Sequence, residues 1–441
     1  MSTALVLIVF TVCIVLMILL ISKFKVHPAM SLLLSVFVLA IGIGTPWADI
    51  SKTIQTGFGN TVKSVAIIIF LGCVLGKVLE ESGAAVKITE FILKVVGKKK
   101  VIWAIIFSSA ILGIPIFPES VVIMLIPIVS TLAIETGSSM MAFGGALYLG
   151  CLITSSLVPP TPGPIAAAAL LNVPLGQAIL WGIVVAIPGV IGAGFYCKTL
   201  KTPVLPKEEY LNAAKVAKEK DLPSVIKSFL PIILPLVLIV GNTVIGTMFP
   251  ETIVANVFKF IGDPIAALFA GDLLSLTLIP KRWKTKTVLN DWVENALCSA
   301  AMPIIVTGLG GAFALFIKNA GIAEKIAQGI IDVHIPGILV PIIIAALIHV
   351  ITGSNTLGVM TAAALVQPML GILGISPLVA FLCCASGALM FKQANSSGFW
   401  VTTSMSNMSL PQGLRSVSGA STIAGICSSM TIIILNAINV I

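Results

Sequence analysis

The sequence predicts an all-α integral membrane protein, an inverted-repeat fold with broken helices and two re-entrant helical hairpins. Three observations predict it. The 441-residue chain is 58% hydrophobic and only 10% charged, where a soluble domain carries about 25% charged residues. Apolar runs of about 20 residues recur along it, the length a bilayer-spanning helix needs. Finally, two long stretches, 24–200 and 258–441, share one plan of apolar segments and polar interruptions. Backbone inside a bilayer has to satisfy its own hydrogen bonds, so the spans are helices.

The first element is an N-terminal transmembrane helix over 1–23. Its opening, "MSTALVLIVFTVCIVLMILLISKFK", has no basic residue ahead of the apolar run, so it reads as an uncleaved span and not as a signal peptide. Unit 1 then covers 24–200. A cytoplasmic loop and a connecting transmembrane helix fill 201–257, and unit 2 covers 258–441. The longest polar stretch, 198–227, is too short to enclose a core of its own.

The net charge of +9 sits mostly in short loops between spans, which is the positive-inside signal and excludes a nucleic-acid partner. Basic clusters fall at Lys23 and Lys25, at Lys94 and Lys98 to Lys100, through the central loop from Lys198 to Lys227, and in "KRWKTK" from Lys281. With all four in the cytoplasm both termini lie outside. Segments 28–48, 228–249 and 296–317 then run outward, and 60–80 and 258–280 run inward. The eight cysteines lie in or beside apolar segments without a CxxC pair, so they read as buried small hydrophobes. No metal site or cofactor is expected.

The repeat rests on matched residues. "GCVLGKVLEESGAAVKI" (72–88) aligns without gaps on "GGAFALFIKNAGIAEKI" (310–326), pairing Gly72 with Gly310, Gly83 with Gly321 and Lys87-Ile88 with Lys325-Ile326. Upstream, "VHPAMSLLL" (26–34) sits near "GDPIAALFA" (262–270). By the charge rule unit 1 starts in the cytoplasm and unit 2 outside, so the second copy is upside down. Inverted repeats with broken helices at the midplane are the build of many secondary transporters. The chain carries no Walker motif, HExxH or GxSxG, and a channel does not need such occluding repeats.

Each unit has two interruptions. Unit 1 has "GIPIFPESVVIMLIP" (113–127) and "CLITSSLVPPTPGPIAAAALL" (151–171); unit 2 has "HVITGSNTLGVM" (349–360) and "FKQANSSGFW" (391–400). Clusters of Pro, Gly, Ser and Thr break helix. At membrane depth, irregular backbone survives only against protein or a wet cavity. We expect the hairpins at the second interruption of each unit: 142–156 with 165–173, and 378–391 with 398–408. Helix N-termini at their tips favour an anion. Ordinary turns outside the membrane are the alternative.

Ionisable residues inside spans are functional candidates. Glu119 has no counter-charge nearby in sequence and is the expected proton-coupling residue, with His349 second; a helix-packing role for His349 is equally open. Lys392 is read as a snorkelling interfacial lysine, with a substrate contact as the alternative. Asp263 is expected to cap a helix starting at Pro264. Asp272 lies mid-span without an evident role.

These stretches resemble the gluconate permease family, the gluconate:proton symporters, which include D-serine and related hydroxy-acid carriers. "FPESVVIMLIP" resembles the family's F-Y-E-V-G-F-V-L-M-L-P, "VPPTPGP" its P-P-H-P-G-P, "TGSNTLG" its G-S-A-T-V-A and "ANSSGFW" its N-D-P-G-F-W. The match covers most of the chain. It carries over Glu119, Pro127, Pro159, Pro160, Pro162, Gly163, Pro164, Gly353, Ser354, Thr356, Asn395, Gly398, Phe399 and Trp400, and His349 matches a position of Arg or His. The resemblance implies uptake of a small sugar acid or hydroxy acid across the inner membrane by proton symport. The chain departs from the family at Thr161 and Gln393, where His is usual, at Ser396, where Asp is usual, and at Lys392, where a small polar residue is usual.

The expected substrate is therefore a small organic anion, gluconate or a related acid. Its carboxylate would be held by Thr154, Ser155, Ser156, Thr161, Gly163, Ser354, Thr356, Ser396 and Ser397. Asn355 and Asn395 can both donate and accept, which suits sugar hydroxyls. Sodium coupling, with a hydroxy acid or D-amino acid as substrate, is the alternative because neutral oxygens at broken helices also coordinate Na⁺. The remaining expected partners are the lipid bilayer and a second copy in a homodimer.

Overall fold

Proline marks where many of the helices begin. It occupies the first turn of the helices starting at Pro28, Pro118, Pro162, Pro264 and Pro377, where a missing N–H costs nothing and φ is already set. The computed structural model describes residues 26–97, 100–211, 222–249, 252–280, 282–320 and 336–441, with scattered positions between 8 and 24. The expected span 1–23 lies largely outside the described residues. So do Lys25, Lys98, Lys99, Lys215, Lys218, Lys220, Lys281, Gly321 and Lys325-Ile326.

In unit 1 the helices are α1 (Pro28–Gly42), α2 (Trp47–Glu81), α3 (Ala84–Val96), α4 (Val101–Leu112), α5 (Pro118–Thr136), α6 (Met140–Leu157), α7 (Pro162–Leu170) and α8 (Leu175–Thr199). The connector is α9 (Val225–Met248), followed by α10 (Ile253–Ile261) and α11 (Pro264–Ser275). Unit 2 continues with α12 (Trp292–Asn319), α13 (Leu339–Thr352), α14 (Asn355–Val366), α15 (Pro377–Gly387) and α16 (Ser397–Met405). A short turn and a π segment from Leu410 then lead into α17 (Gly419–Ala437). The described residues are all-helical, and eight helices are long and apolar enough to cross a membrane.

The element order recurs. Starts at 101, 118, 140, 162 and 175 precede starts at 339, 355, 377, 397 and 410 by 235 to 238 residues. Corresponding helices also pack on each other. In the α2–α12 pair, Gly57 abuts Ala312 and Gly311 abuts Thr61; small side chains let two backbones approach closely. In the α8–α17 pair, Ser428 Oγ donates to Val185 O at 3.1 Å.

One expectation holds and one needs correction. The segment 258–280 contains a 64° bend between α10 and α11, where Asp263 was expected to cap a new helix. Pro264 cannot continue the ladder, and the Asp263 carboxylate caps the new helix by accepting from the N–H groups of Ile265 and Ala266.

The hairpins lie one interruption earlier than expected. Met140–Leu170 forms a single 31-residue span broken only at 158–161, so it does not turn back. The reversal occurs at 113–117 instead. One surface cleft is lined by Lys100 to Trp103 at the start of α4 and by Thr136 and Gly137 at the end of α5, so α5 returns to where α4 began. At 12 residues α4 is about 18 Å long, too short for a hydrocarbon core about 30 Å thick. In unit 2, Gly353 (φ +69°) turns the chain, Gly358 packs on His349, and Gly337 packs on Leu373. Here α13 and α14 form the hairpin. The breaks at 158–161 and 388–396 interrupt spans that carry on.

Candidate functional site

All four interruptions converge on one cavity of about 310 Å³. Each supplies the first turn of a helix. Phe117, Pro118 and Glu119 open α5; Thr161 and Gly163 flank the start of α7; Ser354, Asn355 and Thr356 open α14; Ser396 and Ser397 open α16. The first N–H groups of a helix have no partner within it, and the N-terminal end of a helix carries a partial positive charge. Four such ends therefore aim at the same space.

Local chemistry fixes each end. Thr161 Oγ1 donates to Ser155 O at 2.7 Å and to Val158 O at 3.1 Å, closing the break against the end of α6. Ser354 Oγ accepts from Leu357 N at 3.3 Å as an N-cap. Asn395 Nδ2 donates to Val350 O at 2.7 Å and to Ile351 O at 3.2 Å, using carbonyls near the end of α13. Gly353 is required twice over. Its φ is left-handed, and a Cβ there would lie 2.6 Å from Asn395 O.

The halves of the molecule interlock through these ends. Gly163 faces Thr356, with 3.4 Å between its Cβ position and Thr356 Cα. Gly398 faces Glu119 and Tyr148, and its Cβ position is 2.7 Å from Glu119 Oε1. Ser397 Oγ donates to Glu119 Oε1 at 3.3 Å. Thus the tip of each hairpin meets the restarting helix of the other unit's broken span.

Lys392 is the basic side chain lining the cavity. It is 2% exposed and does not snorkel to an interface. Nζ donates to Asn355 Oδ1 at 2.6 Å and to Gly353 O at 3.2 Å. Its backbone is tied to the last span, with Lys392 N donating to Ser421 Oγ at 3.2 Å and Lys392 O accepting from Ser418 Oγ. Among the described residues it makes no ion pair. Asn355 is the junction: Nδ2 donates to Ala388 O at 2.8 Å and to Ser156 Oγ at 3.3 Å.

Most of the residues singled out from sequence line this cavity: Glu119, Ser155, Ser156, Thr161, Gly163, Ser354, Asn355, Thr356, Asn395, Ser396 and Ser397. Two do not. Thr154 Oγ1 donates to Ala110 O at 2.7 Å, which fixes α6 against α4 and turns the hydroxyl away. His349 is fully buried on α13, and its Nδ1 donates to Met390 O at 2.8 Å. It braces the backbone beside Lys392 from outside the cavity. Sequence reasoning missed Phe117, Thr352 and Tyr148, which also line it. The signal for Tyr148 was present, since a phenol in the apolar run "AFGGALYLG" needs a reason. Phe117 and Thr161 also border a second cavity of about 480 Å³, so they form the partition between the two spaces.

Comparison with known proteins gives one consistent result. The model of the GntP family permeases matches residues 4–438. An uncharacterized permease of Haemophilus influenzae is 33% identical over 405 residues, 88% of this chain and 83% of its own length. The high-affinity gluconate transporter of Escherichia coli is 28% identical over 435 residues, 98% of this chain and 99% of its own. Among solved structures, the Alcanivorax borkumensis YdaH transporter, described as having an unusual topology, superposes with a TM-score of 0.72 at 13% identity. The superposition covers 94% of this chain and 99% of that one, a likeness of fold.

Proposed function

The chain belongs to the GntP permease family, a family of transporters and not of enzymes, and from that premise we propose that it takes up a small organic anion by proton symport. Gluconate or a related sugar acid or hydroxy acid is the substrate, and the inner membrane is its place. The observation that carries this reading is the convergence of four helix N-termini and a buried lysine on one cavity. Positive helix ends and a cation together select an anion, while Asn355, Thr356 and Ser396 offer hydrogen bonds to hydroxyls. Glu119, at the first turn of α5, is the proton site, and its place beside Ser397 couples it to the wall that binds substrate.

Alternating access would follow from the arrangement of the repeats. The start of α4 and the end of α5 share one cleft, and the end of α16 returns to that side, since Ser406 packs on Gly144 near the start of α6. Hairpin 2 closes at Gly337 and Leu373. This supports two inverted units, 24–200 and 258–441, whose hairpins enter from opposite faces.

The test is uptake of labelled gluconate into proteoliposomes. A proton gradient should drive accumulation, with D-serine and glycerate as competitors that rank the substrate class. Glu119→Gln should abolish gradient-driven accumulation and keep counterflow exchange. Accumulation driven by a sodium gradient alone would replace the coupling ion, and saturable counterflow separates a carrier from a channel.

A further inference from the structure

We propose that Lys392 is the fixed cation for which Glu119 and the substrate's carboxylate compete, so that an anion enters as Glu119 takes up a proton. The inference rests on the anion-symport reading above and assigns the residue that enforces it.

The geometry supplies the parts. Lys392 and Glu119 line the same cavity without touching, and they come from different units. An ammonium has three N–H donors. Two are held by Asn355 Oδ1 and Gly353 O, both neutral acceptors, which leaves one donor and the whole charge without a carboxylate partner. Glu119 has one described hydrogen bond, from Ser397. A buried charge is costly unless it is compensated, and Glu119 is the acidic side chain that lines the same cavity.

The formal side-chain charges then give the coupling. With the cavity empty, one ammonium and one carboxylate balance. A substrate carboxylate accepting from Lys392 Nζ makes the formal side-chain and substrate charge of the cavity negative. One proton moving onto Glu119 restores balance, with no covalent bond made or broken elsewhere. Releasing the anion returns the proton. The other titratable neighbours are Tyr148 and Cys151 of α6, which face Glu119, and His349 of α13, which faces Lys392.

The experiment is calorimetric titration of the full-length protein in lipid nanodiscs with gluconate, or with D-glycerate where gluconate does not bind. Two buffers of different ionisation enthalpy report protons taken up per anion. Wild type should take up one proton per anion bound. Glu119→Gln should bind with no proton uptake and with affinity independent of pH. Lys392→Gln should weaken binding at least tenfold, and Lys392→Arg should restore it, which separates loss of charge from loss of fold. Lys392→Gln with wild-type affinity and wild-type proton uptake would overturn the role of Lys392 and leave symport standing. Wild-type binding without proton uptake would overturn the coupling as well, and absence of binding by either acid would overturn both readings.

Discussion

Asn355 is the point where three segments meet, so its removal is the most informative test of how the site is held. Asn355→Ala deletes three hydrogen bonds: the acceptor for Lys392 Nζ at 2.6 Å and the donors to Ala388 O at 2.8 Å and Ser156 Oγ at 3.3 Å. The first is charge-assisted and contributes about 1.5–3 kcal/mol, and each neutral bond about 0.5–1.5 kcal/mol. Ala388 O would lose this donor in a buried place, which adds to the cost, so a loss of about 3 kcal/mol or more is expected. The assay is reversible unfolding in mixed micelles, followed by intrinsic tryptophan fluorescence, to which Trp400 in the first turn of α16 contributes. Ser155→Ala is the control, because among the described residues Ser155 Oγ bonds within its own helix, to Leu152 O. An Asn355→Ala protein as stable as that control would refute the claim that this side chain ties hairpin 2 to both broken spans. Substrate binding should fall in parallel, since Lys392 would keep only Gly353 O as a fixed acceptor.

Two further substitutions probe separate parts of the structure. Gly398→Ala places a Cβ 2.7 Å from Glu119 Oε1 and against Tyr148; overpacking of this kind costs about 1–3 kcal/mol. It should cut uptake at least tenfold in a folded protein, and normal uptake would mean that α16 does not need its close approach to Glu119. Asp272 is buried on α11 with neither oxygen hydrogen-bonded among the described residues. Asp272→Leu should therefore raise the unfolding midpoint, by relief of about 1–3 kcal/mol, with uptake unchanged. A folded variant that no longer transports would instead put Asp272 on the transport path.

Much of the site was legible because broken helices announce themselves in sequence. "VPPTPGP" and "ANSSGFW" cannot continue a helix, and their residues do line the cavity. The position of the reversal was not legible. Both "GIPIFPES" and "SSLVPPTPGP" read as breaks, but whether the chain returns or continues depends on what it packs against afterwards. The end of α5 lies back beside the start of α4, a tertiary fact without a local signature. Lys392 was misread for a related reason. Its neighbours in sequence are polar and suggest an interface, whereas its acceptors, Gly353 and Asn355, come from a hairpin nearly 40 residues away. Thr154 looked like its neighbours Ser155 and Ser156, and only the facing carbonyl of Ala110 sets it apart.

The repeat explains why the two charges stand where they do. A scaffold of two equivalent units presents equivalent helix ends to the cavity: Gly163 on Thr356, and Gly398 on Glu119. Those contacts correspond at offsets of 235 and 237, so Glu119 and Thr356 occupy matching places in their hairpins. One carries charge and the other a hydroxyl. The cation sits in the broken span of unit 2, whereas the break of unit 1 at 158–161 carries no charged residue. Exact symmetry would pair each of these side chains with a like one, and one carboxyl with one ammonium breaks it. On the symport reading proposed above, the carboxyl would take the proton on one wall and the ammonium would seat the anion on the other, so that the two units divide the work between them.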